Sequence, residues 1–224
     1  MLKEAPYDLP DSKALMDAHL IAVREEEKVY GPVFLVRFIK HALQFMAQRI
    51  GRVATEDIKT LDHLAEYLLS KTGKRLLPNL AFYYAQIKTE NELQGRTGAT
   101  YRVAERSFYR KYVKSPSGET PNVDLEENLL KLHQFAIDLK LSPKELGYKK
   151  NEDESLDIIL PNCYFKEVCQ QAFKENILTR ADGKMHCAMG ATLCQYFKLI
   201  ANIESDYNCI EFDKPHCIIR CYTI

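Results

Sequence analysis

A chain of 224 residues is long enough to bury a core, as one domain or as two packed lobes, and its apolar fraction is ordinary for a globular protein. Lysine and arginine balance aspartate and glutamate at 31 each. That balance argues against a dedicated nucleic-acid surface, because duplex binding is dominated by phosphate neutralisation. No apolar run approaches the roughly 20 residues of a membrane helix. The N-terminus, which carries acid and proline, has no apolar signal-peptide core. The expectation is a cytoplasmic protein with neither a membrane nor a nucleic-acid partner.

The first two thirds of the chain reads as helices. Asp11 is placed to cap a helix running to about Tyr30, where Gly31-Pro32 breaks it. From 33 to 50, Leu35, Ile39, Leu43, Met46 and Ile50 recur at helical spacing, and Phe34, Phe38 and Phe45 add a second apolar face. Leu61, Leu64, Ala65, Leu68 and Leu69 make an amphipathic stripe that Gly73 can end. The range 76–86 reads as a helix with Pro78 in its first turn, and 97–113 as another. The polar stretch 114–121 is the best lobe boundary. Asp124, followed three later by Glu127, opens a further helix to about Leu139.

After Pro143 the pattern changes to short strands. Residues 146–149 and 156–160 flank a turn at 151–154 and predict a hairpin. Helices are predicted over 164–173 and 185–200, separated by a turn at Asp182-Gly183. A second hairpin, 207–212 with 216–223, closes the chain. The sum is an α+β fold: a helical N-terminal lobe, 1–121, packed on a small antiparallel sheet with flanking helices, 122–224.

Seven cysteines, an odd number, all lie between Cys163 and Cys221. A secreted disulfide framework would use an even set spread along the chain, so reduced thiols or metal ligands fit better. Cys209 and Cys217 stand at the two ends of the terminal hairpin, which brings them together. Asp206 precedes Cys209 by three residues, and Cys187 lies at the start of the preceding helix, where a thiol pKa is lowered. Cys187, Asp206, Cys209 and Cys217 would make a closed, structural zinc site. The same cysteines also fit a buried thiol core, since free cysteine packs as a small hydrophobe. Cys194 and Cys221 read as core thiols, and Cys163 and Cys169 as either. His216 and Cys217 are neighbours on a strand and so face opposite sides.

In order and spacing, Cys187, Asp206, Cys209 and Cys217-Ile218-Ile219 resemble the C-terminus of the 4-vinyl reductase domain family, the hydrocarbon-binding proteins. The resemblance departs where Asp206 replaces a glutamate, where Asp213-Lys214-Pro215 replaces a glycine-bearing turn, and where Ile219 replaces an aromatic residue. It implies a small-molecule-binding protein for an apolar or aromatic ligand, acting as sensor, carrier or accessory factor, with structural zinc and a possible homodimer. Cys163, Cys187 and Cys217 are also similar in spacing to hydrolases of L-2-amino-thiazoline-4-carboxylate. That likeness implies a cysteine- or metal-dependent hydrolase acting on a C–N bond, although Gly190 stands where those enzymes carry an aspartate. A protein-interaction subunit is the third reading, so enzyme and non-enzyme both stay open. Arg102, Arg106, Arg110 and Lys114, four apart on one helix, form a basic stripe that reads as a solvated face or an anchor for an anionic group.

Overall fold

The computed structural model describes residues 13–51, 53, 58–98, 107, 109, 111, 124–138, 147–161, 163–212 and 216–224. The elements are α1 (Lys13–Tyr30), α2 (Pro32–Ile50), α3 (Leu61–Thr72), α4 (Leu76–Gln94), α5 (Leu125–Asp138), β1 (Gly147–Lys150), β2 (Leu156–Pro161), α6 (Lys166–Lys174), α7 (Ala188–Tyr196), β3 (Ser205–Glu211) and β4 (His216–Thr223). A π-helical turn, Phe197–Ala201, extends α7. The α+β class read from the sequence is the class observed. Asp11, the boundary stretch 114–121 and all four basic-stripe residues lie outside the described residues; within the predicted helix 97–113, Ser107, Tyr109 and Lys111 are helical whereas Thr97 and Gly98 are not.

Local signals account for most boundaries. Gly31 adopts φ 76° between α1 and α2, with Pro32 opening α2. The Thr60 side chain accepts from the His63 N–H at the start of α3, and Gly73 ends α3 in the left-handed region. Asp124 Oδ1 accepts from the N–H groups of Glu126 at 2.7 Å and Glu127 at 3.0 Å, capping α5. Helix α4 runs eight residues beyond the predicted end. Buried residues cover it on all sides, from Pro78 to Glu90, so it lacks the one-sided stripe by which a helix is recognised.

Two cores form. Helices α1–α4 bury Phe34, Phe38, Phe45, Leu64, Leu68, Phe82 and Tyr83, and this core also takes in Phe165, Val168, Cys169 and Ala172 from the segment after β2. Arg49 of α2, bonded to Glu167 at 2.8 Å and Gln171 at 3.0 Å, fastens α6 to the helical lobe from outside. The second core joins α5, α7 and one face of the sheet through Leu129, Leu132, Ile158, Phe197, Tyr207 and Ile219.

The sheet is antiparallel with order β1-β2-β4-β3. The C-terminal strand therefore occupies the centre, with Leu160 opposite Cys217 on one side and Tyr207 opposite Cys221 on the other. Alternation along β4 turns Cys217, Ile219 and Cys221 inward, and leaves His216, Ile218, Arg220 and Tyr222 half-exposed. Arg220 grips Asp157 directly across from it through two bonds of 2.6 and 2.8 Å. Among the described residues no helix is long and apolar enough to cross a membrane.

Candidate functional site

Five of the seven cysteines lie around the junction of the inner face of the sheet, the start of α7 and the start of α6, near enough to influence one another's ionisation. Cys163 lies in the turn after β2, Cys169 in α6, Cys187 at the N-cap of α7, Cys209 in β3 and Cys217 in β4. Cys163 and Cys209 are partly exposed, and the other three are buried.

The thiols are arranged in pairs. Cys163 and Cys217 act most strongly on one another's ionisation, as do Cys187 and Cys209, with weaker influences between the pairs, and the Cys209 sulfur lies 3.9 Å from the Glu211 carbonyl oxygen. In each pair one sulfur is favoured as thiolate and the other as thiol. The Cys209 thiol, with the Gly190 and Met189 N–H groups at the head of α7, lowers the Cys187 pKa. The Cys163 thiol and the nearby Lys166 lower that of Cys217. Their partners are pushed up by the same contacts and by burial. Burial also raises Cys169, whose sulfur lies 4.0 Å from the Tyr83 hydroxyl. A third contacting pair, Cys194 with Cys221, sits deeper, between α7 and β4, and belongs to the second core as expected of core thiols.

The pairs are positioned by a close helix–strand contact. A Cβ added at Gly190 would lie 2.4 Å from the Tyr207 ring, so α7 approaches β3 only because residue 190 has no side chain. The Tyr207 hydroxyl accepts from the Cys187 N–H at 3.3 Å and lies 3.3 Å from His186 Nδ1, while the Arg180 guanidinium stacks on the ring at 4.6 Å. Cys209 follows Tyr207 by two residues on the same face of β3. It is placed against Cys187 by the same contact. A bulge at Ile210 then shifts the β3–β4 register beyond Cys209.

Of the four ligands predicted from sequence, the structure brings Cys187, Cys209 and Cys217 to this inner face and Asp206 to the other. Asp206 accepts from Arg180 at 2.9 Å, Lys184 at 2.8 Å and Tyr222 at 3.1 Å; against the opposing effect of burial, the Lys184, Tyr207 N–H and Arg180 donors hold its carboxyl well below the ordinary carboxylate range. Its odd separation from Cys209 already implied this, because strand residues three apart face opposite ways. Cys163 enters the thiol group instead. In the sequence it is grouped with Cys187 and Cys217 only through the hydrolase resemblance, and its place depends on β2 pairing with β4. His216 faces away from Cys217, as predicted, with Nε2 3.4 Å from Glu211 Oε1. His186 is fully buried beside Tyr207, with its pKa lowered to about 3 by burial and by Arg180.

The donor set of Cys163, Cys187, Cys209 and Cys217 suits zinc in softness and number. Zinc–thiolate bonds of about 2.3 Å in a tetrahedron separate the sulfurs by about 3.8 Å. Among the described residues, however, no three His, Cys, Asp or Glu side chains stand together as a metal site. One ion would have to draw the two pairs together.

Further polar groups are buried in the helical lobe. The His19 ring lies edge-on to Phe82 and Phe165, and burial lowers its pKa to about 3. Its Nε2, and both amide atoms of the fully buried Asn79 on α4, have no hydrogen-bond partner among the described residues. Phe82, Tyr83 and Tyr84, candidates for lining an apolar pocket, are packed in this core. No protein-family model, curated protein or solved structure matches the chain.

Proposed function

We propose that the protein binds a small, apolar or aromatic molecule and that a structural zinc ion staples its C-terminal sheet to its helices. The zinc reading is carried by the meeting of Cys163, Cys187, Cys209 and Cys217 from four separate segments, with Cys163 taking the place first given to Asp206. Bound there, zinc supplies cross-linking and no reaction, as expected for four thiolates with no open position. The ligand reading is supported by His19 and Asn79. Buried polar groups are nearly always paired, and a neutral ligand with one polar end would supply partners. A neutral ligand is favoured because burial keeps His19 uncharged.

The hydrolase alternative needs an acid three residues after Cys187. The Tyr207 ring fills the space that a side chain at Gly190 would need, which counts against that reading.

The test is metal content by mass spectrometry on untagged protein, with Cys163→Ser and Asp206→Asn compared. The expected result is about one zinc per chain, lost in Cys163→Ser and kept in Asp206→Asn. Zinc lost with Asp206 and retained without Cys163 would overturn the ligand set, and metal-free wild-type protein would overturn the zinc reading. Organic extraction of the same preparation reads the ligand, and His19→Leu should reduce what is recovered.

A further inference from the structure

We propose that the small molecule is recognised through an amide-like edge, a carbonyl oxygen beside an N–H on an uncharged apolar body, which Asn79 of α4 and His19 of α1 grip together. This rests on the ligand reading above and adds the chemistry of the ligand's polar end. The Gln86 side-chain N–H donates to Glu26 Oε1 at 2.5 Å and fixes α4 against α1 at that point. The His19 ring meets Phe82, while Glu26, further along α1, meets Gln86, further along α4, so the two helices run in the same direction. His19 and Asn79 each stand seven residues before the Glu26–Gln86 pair, two turns back on their own helices. Asn79 therefore shares the face of α4 that carries Gln86, opposite His19.

Both residues are buried, Asn79 at 0% and His19 at 3% exposure. Asn79 Nδ2, Asn79 Oδ1 and His19 Nε2 have no hydrogen-bond partner among the described residues. Leaving buried polar atoms unpaired is costly, and native proteins seldom do so. The surroundings are aromatic: His19 lies edge-on to Phe82 and Phe165, and Phe165 packs on Tyr83 at 4.3 Å. Burial alone accounts for the low basicity of His19, with no contribution from a carboxylate or a cation, so a charged ligand group would find no counter-ion beside it.

A side-chain amide carries a donor and an acceptor in one plane, and a second amide edge answers both at once. The ligand carbonyl accepts from Asn79 Nδ2 while the ligand N–H donates to Asn79 Oδ1. His19 Nε2 takes the remaining lone pair or N–H, according to its tautomer. A ketone answers only the donor, and a hydrocarbon answers neither.

The experiment compares benzamide, acetophenone, toluene and benzoate by thermal melting and calorimetric titration of the untagged protein and of Asn79→Leu, which puts an apolar side chain of similar size in place of the amide. The expected result is that benzamide raises Tm and binds at least about tenfold more tightly than acetophenone or toluene, with benzoate inert. Asn79→Leu should melt no lower than the wild type, because an unpaired buried amide is replaced by apolar surface, and should lose the preference for benzamide. Acetophenone or toluene binding as tightly as benzamide would overturn the amide edge and leave the apolar-ligand reading standing, and benzoate binding most tightly would overturn both. A benzamide preference that survives in Asn79→Leu would remove Asn79 from the site; should that variant not fold, His19→Leu carries the same comparison. If no probe binds and organic extraction recovers nothing, the ligand reading falls and the inference with it; if extraction does recover a molecule, the presence or absence of an amide edge in it decides.

Discussion

Replacing Gly190 by alanine should destabilise the protein, although alanine is the better helix former. In an exposed helix the change would gain about 1 kcal/mol. Here the added Cβ meets three Tyr207 ring carbons at 2.4, 2.6 and 2.8 Å. Ordinary carbon–carbon contact is about 3.5–4.0 Å, so helix or ring must move by about 1 Å. The ring is poorly placed to yield: it is 4% exposed, covered by Arg180 and tied through its hydroxyl to Cys187 and His186. Overpacking of this kind costs about 1–3 kcal/mol, which exceeds or offsets the helical gain. A net loss of up to about 2 kcal/mol corresponds to a fall in Tm of up to roughly 8 °C for a chain of this size. Urea or thermal unfolding measures it, with Tyr207→Leu and the double variant completing a cycle. In the double variant the added methyl should cost less, by about 1 kcal/mol. A Gly190→Ala protein that keeps the full helical gain, or additive behaviour in the cycle, would refute the close-contact argument.

Two further outcomes follow from the buried charges and histidines. His19 and His186 are neutral in the folded state, with pKa values lowered from 6.5 to about 3. Below pH 6.5 the unfolded chain therefore binds more protons, and stability should fall as pH drops from 6.5 toward 3, by about 2 kcal/mol per histidine at pH 5. Urea midpoints at pH 7.5 and 5 measure this, and His19→Leu should flatten the slope; an unchanged slope would show that His19 does not titrate so. Asp206→Asn should cost about 1 kcal/mol through weakened bonds to Arg180 and Lys184 while leaving the reactivity of the inner-face thiols unchanged. Altered alkylation of Cys187 or Cys217 in that variant would place the carboxylate in the thiol site after all.

Much of this architecture was legible along the chain because its causes are local. Gly31-Pro32, Gly73 and Asp124 mark helix ends through backbone conformation and capping, which need no partner from elsewhere. The two hairpins follow from strand-and-turn spacing, and alternation alone separates His216 from Cys217. The same alternation separates Asp206 from Cys209, a signal present in the sequence but outweighed in the reading by the carboxylate's suitability as a ligand.

The tertiary structure decided what depends on contacts distant in sequence. Nothing local places β4 between β2 and β3, yet that order brings Cys163 to Cys217. Helix α4 escaped full recognition because partners cover it on every side, which removes the polar face that periodicity needs. Gly190 has meaning only once Tyr207 lies beneath it. The sequence by itself determined which segments are helix or strand and that all seven cysteines fall in the C-terminal third. Which thiols touch was settled by packing, because side chains meet through the pairing of strands and the approach of a helix, and both are properties of the whole fold.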